Sequence, residues 1–297
     1  MAGFDDLMAA VGRLVADAEA LAALAARLRA DAEGIDVPAA IAAALDPAVA
    51  ELGLDLDALS DDERRTAAGF ARAFLAQALD LAEHPERPPG WAHEDPDVLL
   101  TLGRASAVIA SVIASIAPQL DGLEAALAAE GAAICDVGSG VGALSIALAR
   151  TWPAARVVGL EPWAPSRRLA AEEIAAAGLG DRIEIRDHGV EDLGDRDAFD
   201  AVWLAGPFLP EPVLPAALER SLAALRSGGW LLFGAFAGPP DPLARRVMEL
   251  RVVRAGGSPL PPEAAVARLQ AAGYAEVRPI ERTWQAPVDF VVGRRPG

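Results

Sequence analysis

The chain has 297 residues, and its 26 basic and 43 acidic side chains give a formal net charge of −17 at pH 7. Such a charge repels nucleic-acid phosphates, so nucleic acid is not expected as a partner. Every basic residue is Arg, and the chain contains neither Lys nor Asn. This excludes a Schiff-base lysine, a P-loop lysine and an Asn metal ligand.

The first third of the sequence predicts helices. Seven apolar residues recur at alternating spacings of four and three and form one stripe: Leu7, Val11, Leu14, Ala18, Leu21, Ala25 and Leu28. The stripe fits either a helix that mediates a homodimer or covers a substrate, or simple packing inside a helical domain. Ser60 and the acids after it predict a second helix, which ends near His84. A third is predicted from Pro96 towards Pro118, so residues 1–118 are interpreted as an all-helical cap.

The connection at 85–96 is rich in proline and carries Trp91 and His93. Irregular connections of this kind often line binding sites.

From about residue 131, short apolar runs alternate with helical stretches. The pattern predicts strands at 132–137, 155–160, 182–186, 199–204 and 230–235, with helices at 142–151, 165–177 and 211–226 between them. This alternation is typical of an α/β fold with a mostly parallel sheet. Two further helices, at 241–255 and from Pro261 to Gly273, precede an antiparallel pair of strands at 275–281 and 287–293.

The strongest motif lies at the end of the first predicted strand. Asp136 is followed by the alternating glycines Gly138, Gly140 and Gly142, and then by a helical run. Glycines leave the backbone at the end of a strand accessible to a ligand, and this pattern predicts a small-molecule site. The same residues also fit the glycine motif of dinucleotide-binding proteins. The carboxylate of Asp136, however, would repel a pyrophosphate and attract a sulfonium or ammonium group. Glu161, at the end of the next strand, is placed to accept ribose hydroxyls.

With these motifs in view, residues 119–297 resemble class I S-adenosylmethionine-dependent methyltransferases. The glycine motif, Glu161, the strand at 199–204, the Gly228-Gly229 turn and the segment 269–274 match the family in its order. The resemblance implies a Rossmann-like seven-stranded sheet and S-adenosylmethionine as cofactor. The cofactor-binding residues that it implies are Asp136, Gly138, Ser139, Gly140, Gly142, Glu161, Pro162, Asp187, His188, Val190 and Ala205.

One departure from the family concerns adenine. The family commonly has an acid after the third strand, where this chain has Gly189. Adenine recognition is therefore expected from the backbone N–H of Val190 and from the side chain of Asp187 or His188.

The acceptor side is less determined by the sequence. His93 is the candidate general base, and Trp91, Trp163, Gly206 and Phe208 are candidates for the substrate pocket. The segment 205–208 lacks the polar side chain that amine-methylating relatives carry there, and the missing Asn disfavours a metal-dependent triad. We expect metal-independent methyl transfer to a small-molecule acceptor, more readily at oxygen. The alternatives are a non-catalytic protein that binds S-adenosylmethionine or S-adenosylhomocysteine, and a nicotinamide-dependent oxidoreductase.

The expected location is cytoplasmic, with no membrane partner. Asp5 and Asp6 stand where a signal peptide carries basic residues, and the single cysteine, Cys135, cannot form an internal disulfide. No apolar run is expected to reach the roughly 20 residues that span a bilayer.

Overall fold

The computed structural model describes residues 3–91 and 93–297. The chain divides into two compact units, Met1–Arg87 and Pro88–Gly297. The sequence prediction placed the division after residue 118, whereas the compact units divide after Arg87.

Over its described residues, 3–87, the first unit consists of three helices, α1 (Phe4–Glu33), α2 (Ala39–Ala50) and α3 (Asp61–Glu83). The predicted cap of α3 is confirmed, because the Ser60 hydroxyl accepts the Glu63 N–H while the Glu63 carboxylate accepts the Ser60 N–H at 2.8 Å. This reciprocal pair satisfies two backbone donors that a helix start leaves open. Gly34 caps the C-terminal end of α1 and adopts a left-handed conformation with φ of 65°.

The apolar stripe of α1 has two different halves. Ala25 and Leu28, near its C-terminal end, are buried, at 4% and 2% exposed. Towards the N-terminus the residues of the stripe are exposed: Leu14 is 59% exposed and Leu7 is 56% exposed. Phe4, which is 73% exposed, lengthens the exposed part of the stripe. Packing within the helical unit therefore explains the second half of the stripe and leaves the first half uncovered.

The second unit begins with helices that the sequence prediction assigned to the cap. These are α4 (Pro96–Arg104), α5 (Val108–Ile116) and α6 (Leu123–Ala128), with a short 3-10 turn at Ala105–Ala107 where one continuous helix was predicted. Buried side chains of α5, among them Ile113 and Ile116, join the same apolar core as Ile134 of the first strand. These helices belong to the second compact unit because they bury their apolar faces against the sheet.

Seven strands form one sheet in the order β3-β2-β1-β4-β5-β7-β6. They are β1 (Ala133–Val137), β2 (Arg156–Leu160), β3 (Ile183–Arg186), β4 (Phe199–Ala205), β5 (Leu225–Phe236), β6 (Ala275–Ile280) and β7 (Val288–Arg294). The first five are parallel, and β7 pairs antiparallel with both β5 and β6. The predicted Rossmann-like, mostly parallel sheet of seven strands, preceded by a helical N-terminal region, is confirmed.

The helices of the sheet domain lie between the strands much as predicted. They are α7 (Ala143–Thr151), α8 (Ala164–Ala176), α9 (Leu214–Ala224), α10 (Pro242–Arg254) and α11 (Pro262–Ala271). One prediction was wrong in extent, because β5 begins at Leu225 rather than Trp230, and Leu225 pairs with Phe199. Apolar clusters cover both faces of the sheet, as a parallel sheet requires.

The region from Pro96 to Gln119 corrects the expectation about membrane-length apolar runs. These 24 residues are long and apolar enough to cross a membrane by length and composition, although a third of the most apolar window is buried in the protein. The buried side chains of α5 pack in the apolar core beside the sheet. A core helix of a globular domain meets the same criterion, so this composition has a structural explanation.

Candidate functional site

The glycine loop between β1 and α7 is held in a conformation that glycine alone adopts easily. Gly138, Gly140 and Gly142 have φ values of 74°, 56° and 79°. A Cβ atom on Gly138 or Gly140 would meet nothing within 4 Å, whereas one on Gly142 would lie 3.3 Å from Ile174 of α8. The first two glycines therefore face open space beside the strand end, and the third permits α7 to pack closely on α8.

The N–H groups of this loop are used inside the protein. Those of Gly138 and Ser139 both donate to the Leu160 carbonyl, at 2.9 and 3.0 Å, and that of Gly142 donates to the Ser139 carbonyl at 2.9 Å. The Gly140 N–H donates to Glu161 Oε2 at 2.8 Å. A loop that cradles phosphates leaves such donors free for the ligand, so this geometry favours a ligand without a pyrophosphate here.

Asp136 is the acid beneath the loop. Its side chain is 1% exposed, and Ser145 of α7 donates a hydrogen bond of 2.6 Å from its hydroxyl to Asp136 Oδ2. Burial raises the pKa of Asp136 to about 6, the negative charge of Glu161 adds to the rise, and the Ser145 hydrogen bond opposes it. Above that pH the site holds a buried negative charge to which no cation is bonded within residues 3–91 and 93–297. This is the electrostatic setting that attracts an ammonium or sulfonium group.

Glu161 stands directly after β2, at the same edge of the sheet. It is 8% exposed, and its two carboxylate oxygens each accept one backbone N–H at 2.8 Å, Oε2 from Gly140 and Oε1 from Trp163. Burial raises the pKa of Glu161, while the two backbone N–H groups and the positive charge of Arg167 oppose the rise. Each carboxylate oxygen retains a lone pair, so Glu161 can still accept the two hydroxyls of a ribose.

Ser139 supplies a further observation on the fit of a cofactor. Its Oγ is buried and has no hydrogen-bond partner within the described part of the chain, and the side chain packs on Gly159 of β2. An orphaned hydroxyl under the glycine loop, open space at two glycines and two buried carboxylates fit a ligand with donor groups and positive charge. The residues that the sequence singled out at the ends of β1 and β2 are thus brought together.

The segment after β3 holds the residues proposed for adenine. Asp187 is exposed, the Val190 side chain is buried, and His188 Nδ1 lies 2.8 Å from the Gly189 carbonyl oxygen. A Cβ on Gly189 would lie 2.3 Å from a carboxylate oxygen of Glu191. The Glu191 carboxylate therefore occupies the space of the side chain that is missing at position 189, and sequence reasoning did not single it out.

The proline-rich connection in front of α4 reaches the end of β2. The indole Nε1 of Trp163 donates to the His93 carbonyl at 2.9 Å, and the His93 ring lies edge-on to Trp91 with centroids 5.0 Å apart. The Gly90 N–H donates at 2.9 Å to the carbonyl of Arg254, the last residue of α10. Trp91, His93 and Trp163 therefore form one cluster beside Glu161.

The turn at the end of β4 carries two of the residues predicted for the substrate pocket, Gly206 and Phe208. A Cβ on Gly206 would overlap the Phe233 ring and lie 2.9 Å from the Gly234 carbonyl, so the absence of a side chain lets this turn pack on β5. Phe208 is 63% exposed. Ala205 ends β4 at the same edge of the sheet as Asp136 and Glu161.

The comparisons with known proteins agree with this geometry. Residues 134–229 match the family model described as a methyltransferase domain. This segment is therefore similar to methyltransferase domains. The predicted resemblance is confirmed there, and S-adenosylmethionine is the cofactor that such a domain uses. The sequence matches none of the curated proteins with which it was compared.

Solved structures extend the likeness of fold beyond the methyltransferase domain. An O-methyltransferase family protein from Burkholderia thailandensis has 17% identity and a TM-score of 0.69, with 100% of this chain and 99% of that chain covered. PigF with S-adenosylhomocysteine has 19% identity, a TM-score of 0.65 and 99% and 100% coverage. The mitomycin 7-O-methyltransferase MmcR has 21% identity, a TM-score of 0.63 and the same coverage. At these low identities, the structural similarity shows a common fold and nothing more.

Proposed function

We propose that the methyltransferase domain transfers the methyl group of S-adenosylmethionine to an oxygen of a small molecule, without a metal ion. The observation that carries this proposal is the pair of buried carboxylates, Asp136 and Glu161, on either side of a glycine loop whose N–H groups are already used. The solved structures with the same fold include proteins described as O-methyltransferases, which supports oxygen as the acceptor atom.

The two carboxylates have separate roles in this proposal. Asp136, buried beside the open glycines, attracts the ammonium group of the methionine part, and Glu161 accepts the ribose hydroxyls on the lone pairs that its backbone donors leave free. Arg167 donates to the carbonyls of Glu161 and Pro162, at 2.9 and 2.6 Å. It thereby fixes the backbone that presents the ribose acid.

Adenine recognition needs a replacement for the acid that is absent at Gly189. Glu191 offers one, because its carboxylate lies where that side chain would be and can accept a hydrogen bond from the adenine amino group. Asp187, His188 and the Val190 N–H remain proposed contacts in the same segment.

When bound, the cofactor supplies a methyl group on a positively charged sulfur, which is already a good electrophile. The protein then has to align the acceptor and exclude water, and orientation alone can lower the barrier by roughly 7–11 kcal/mol. We assign acceptor deprotonation to His93, because it lies in the cluster with Trp91 and Trp163 next to the ribose acid. A positioned base of this kind contributes about 10²–10⁴-fold.

The test combines calorimetry with S-adenosylhomocysteine and a methyl-transfer assay on a panel of hydroxylated aromatic compounds. Asp136→Asn and Glu161→Gln should each weaken binding by at least about tenfold, which corresponds to about 1.4 kcal/mol. Glu172→Gln is the matched control, because Glu172 is an exposed acid on α8 paired with Arg168 at the surface. Unchanged affinity in both site variants would refute the assignment.

The same experiments separate the two alternatives. Tight S-adenosylhomocysteine binding without turnover on any acceptor would favour a non-catalytic binding protein. Absence of such binding, together with quenching of NADH fluorescence, would favour a nicotinamide-dependent oxidoreductase. The latter is disfavoured by the antiparallel β7 between β5 and β6, which departs from the strand order of dinucleotide-binding folds.

We also propose that the exposed half of α1 forms a homodimer. Its uncovered stripe from Phe4 to Leu21 is about 27 Å long at 1.5 Å per residue, which is enough to support a helix–helix interface. A second copy of the chain offers the same self-complementary face. Light scattering should show a dimer that becomes a monomer in the Leu7→Glu, Leu14→Glu variant, whereas Leu79→Glu on α3, another exposed leucine, should remain dimeric.

We further propose a small-molecule acceptor, no nucleic-acid or membrane partner, and a cytoplasmic location. The net charge of −17 and the exclusively arginine cations support a small-molecule acceptor rather than nucleic acid. A cytoplasmic location without a membrane partner is testable by fractionation of cells that express the chain, in which recovery with the membranes would contradict it.

A further inference from the structure

A hydrogen bond between two buried side chains joins β1 to α7. Ser145 is the third residue of α7, and its hydroxyl donates to Asp136 Oδ2 at 2.6 Å. Ser145 is 0% exposed and Asp136 is 1% exposed, so water does not compete for this bond. A hydrogen bond to an ionised acceptor is both shorter and stronger than a neutral one.

The direction of this hydroxyl is unlike that of other serines on neighbouring helices. Ser106, Ser111 and Ser115 each donate, at 2.7 Å, to the carbonyl of the residue three positions earlier in the chain. This local bonding is the ordinary alternative for a serine within a helix. Ser145 instead donates across to the neighbouring strand, so its hydroxyl serves the carboxylate.

The charges around Asp136 explain why such a donor matters. The residues that pair with it in the sheet, Gly159 on β2 and Trp203 on β4, are uncharged, and the nearby Glu161 disfavours its ionised form. Burial disfavours the ionised form most strongly and raises the pKa to about 6, while the side chain and backbone of Ser145 favour ionisation.

We infer that Ser145 is a positioning residue for the cofactor: its hydroxyl keeps Asp136 ionised and fixes the carboxylate that meets the ammonium group. The inference rests on the proposed function, because it gives Asp136 that ligand. Loss of the hydroxyl should therefore shift the pH dependence of cofactor binding and not merely its strength.

The test is calorimetry with S-adenosylhomocysteine between pH 5 and 8.5. For the unaltered protein, affinity should rise with pH through a midpoint near 6. Ser145→Ala should raise the midpoint by about one pH unit, which makes binding about fivefold weaker at pH 6 and nearly equal at pH 8.5. Ser145→Cys keeps the size and a weak donor, so its midpoint should lie between the two. Should the alanine variant fail to fold, the cysteine variant still tests the shift.

The matched control is Ser221→Ala on α9. Ser221 is also 0% exposed, but its hydroxyl has no hydrogen-bond partner in the described residues, so the midpoint should not move. An unshifted midpoint in the Ser145 variants would overturn the inference. So would a shift by Ser145→Ala that persists in an Asp136→Asn background, because Ser145 would then act elsewhere. Failure of the unaltered protein to bind at any pH would instead refute the proposed function, and the inference with it.

Discussion

Gly159 of β2 lies directly beneath the glycine loop, and a single methyl group there would disturb the whole site. A Cβ at this position would lie 2.5 Å from Ile185 Cδ1, 2.7 Å from Ser139 Oγ and 2.8 Å from Ser139 Cβ. Such contacts are far shorter than van der Waals distance, so the Gly159→Ala variant must move the β3 side chain, the loop, or both. Because Gly159 also pairs with Asp136, the displacement reaches the buried acid.

The size of the effect follows from the cost of overpacking a well-packed core, which is about 1–3 kcal/mol. Each kcal/mol lowers the melting temperature of a chain of this class by roughly 2–4 °C. We therefore expect a decrease of about 2–12 °C. Affinity for S-adenosylhomocysteine should also fall, because movement of Ser139 shifts the neighbouring N–H that contacts Glu161.

Differential scanning calorimetry and binding calorimetry measure both effects. Gly180→Ala is the matched control, since a Cβ at Gly180 meets nothing within 4 Å and its φ is not left-handed. Adding Ser139→Gly to Gly159→Ala removes both Ser139 contacts and should restore part of the melting temperature. A Gly159→Ala protein that melts and binds like the unaltered chain would show that the loop does not depend on this contact.

Three further predictions address individual side chains. Glu191→Gln should weaken S-adenosylhomocysteine binding several-fold while Asp192→Asn does not; equal effects would deny Glu191 its adenine role. His93→Gln should lower kcat at least about tenfold and remove the acidic limb of the pH–rate profile, because a general base is inactive when protonated. Cofactor affinity should not change, His84→Gln is the control, and an unchanged kcat would exclude His93 as the base. Asp136 has a pKa raised to about 6 from an ordinary 3.8, so its favourable contribution to folding is complete below pH 4 and is lost as the pH rises through 6. Asp136→Asn should therefore gain stability over the unaltered protein between pH 4 and 7 by about 3 kcal/mol, measured by urea unfolding, and a constant difference would contradict the raised pKa.

Much of the fold could be predicted because its signals are local. Strands of the sheet domain appear as short apolar runs, and alternating glycines between a strand and a helix require left-handed backbone wherever they occur. The positions of Asp136 and Glu161 followed from parallel strands, whose carboxyl ends meet at one edge. Each of these inferences uses residues that are close in sequence or joined by a regular element.

The remaining features depend on contacts between distant segments. The sequence around Ser145 does not show that its hydroxyl bonds to Asp136, because this contact needs α7 to pack against β1. The sequence likewise does not show that the Glu191 carboxylate lies over Gly189. Gly206 and Gly257 show the same limit, since a Cβ on Gly257 would meet the Pro207 carbonyl at 1.8 Å. Their role is to let backbone segments pack, and a single sequence does not distinguish this from room for a ligand.

The site concentrates negative charge where folding alone would disfavour it. Asp136 and Glu161 are both buried, both have raised pKa values, and the charge of Glu161 contributes to the rise at Asp136. A ligand with a diphosphate would add to this repulsion and would find the loop N–H groups at 138–140 already bonded. A nucleoside that carries an ammonium and a sulfonium offsets it instead. Burying two acids costs free energy, and a cationic ligand offsets that cost. The buried acids therefore distinguish a methyl-donor site from a dinucleotide site that has a similar glycine motif.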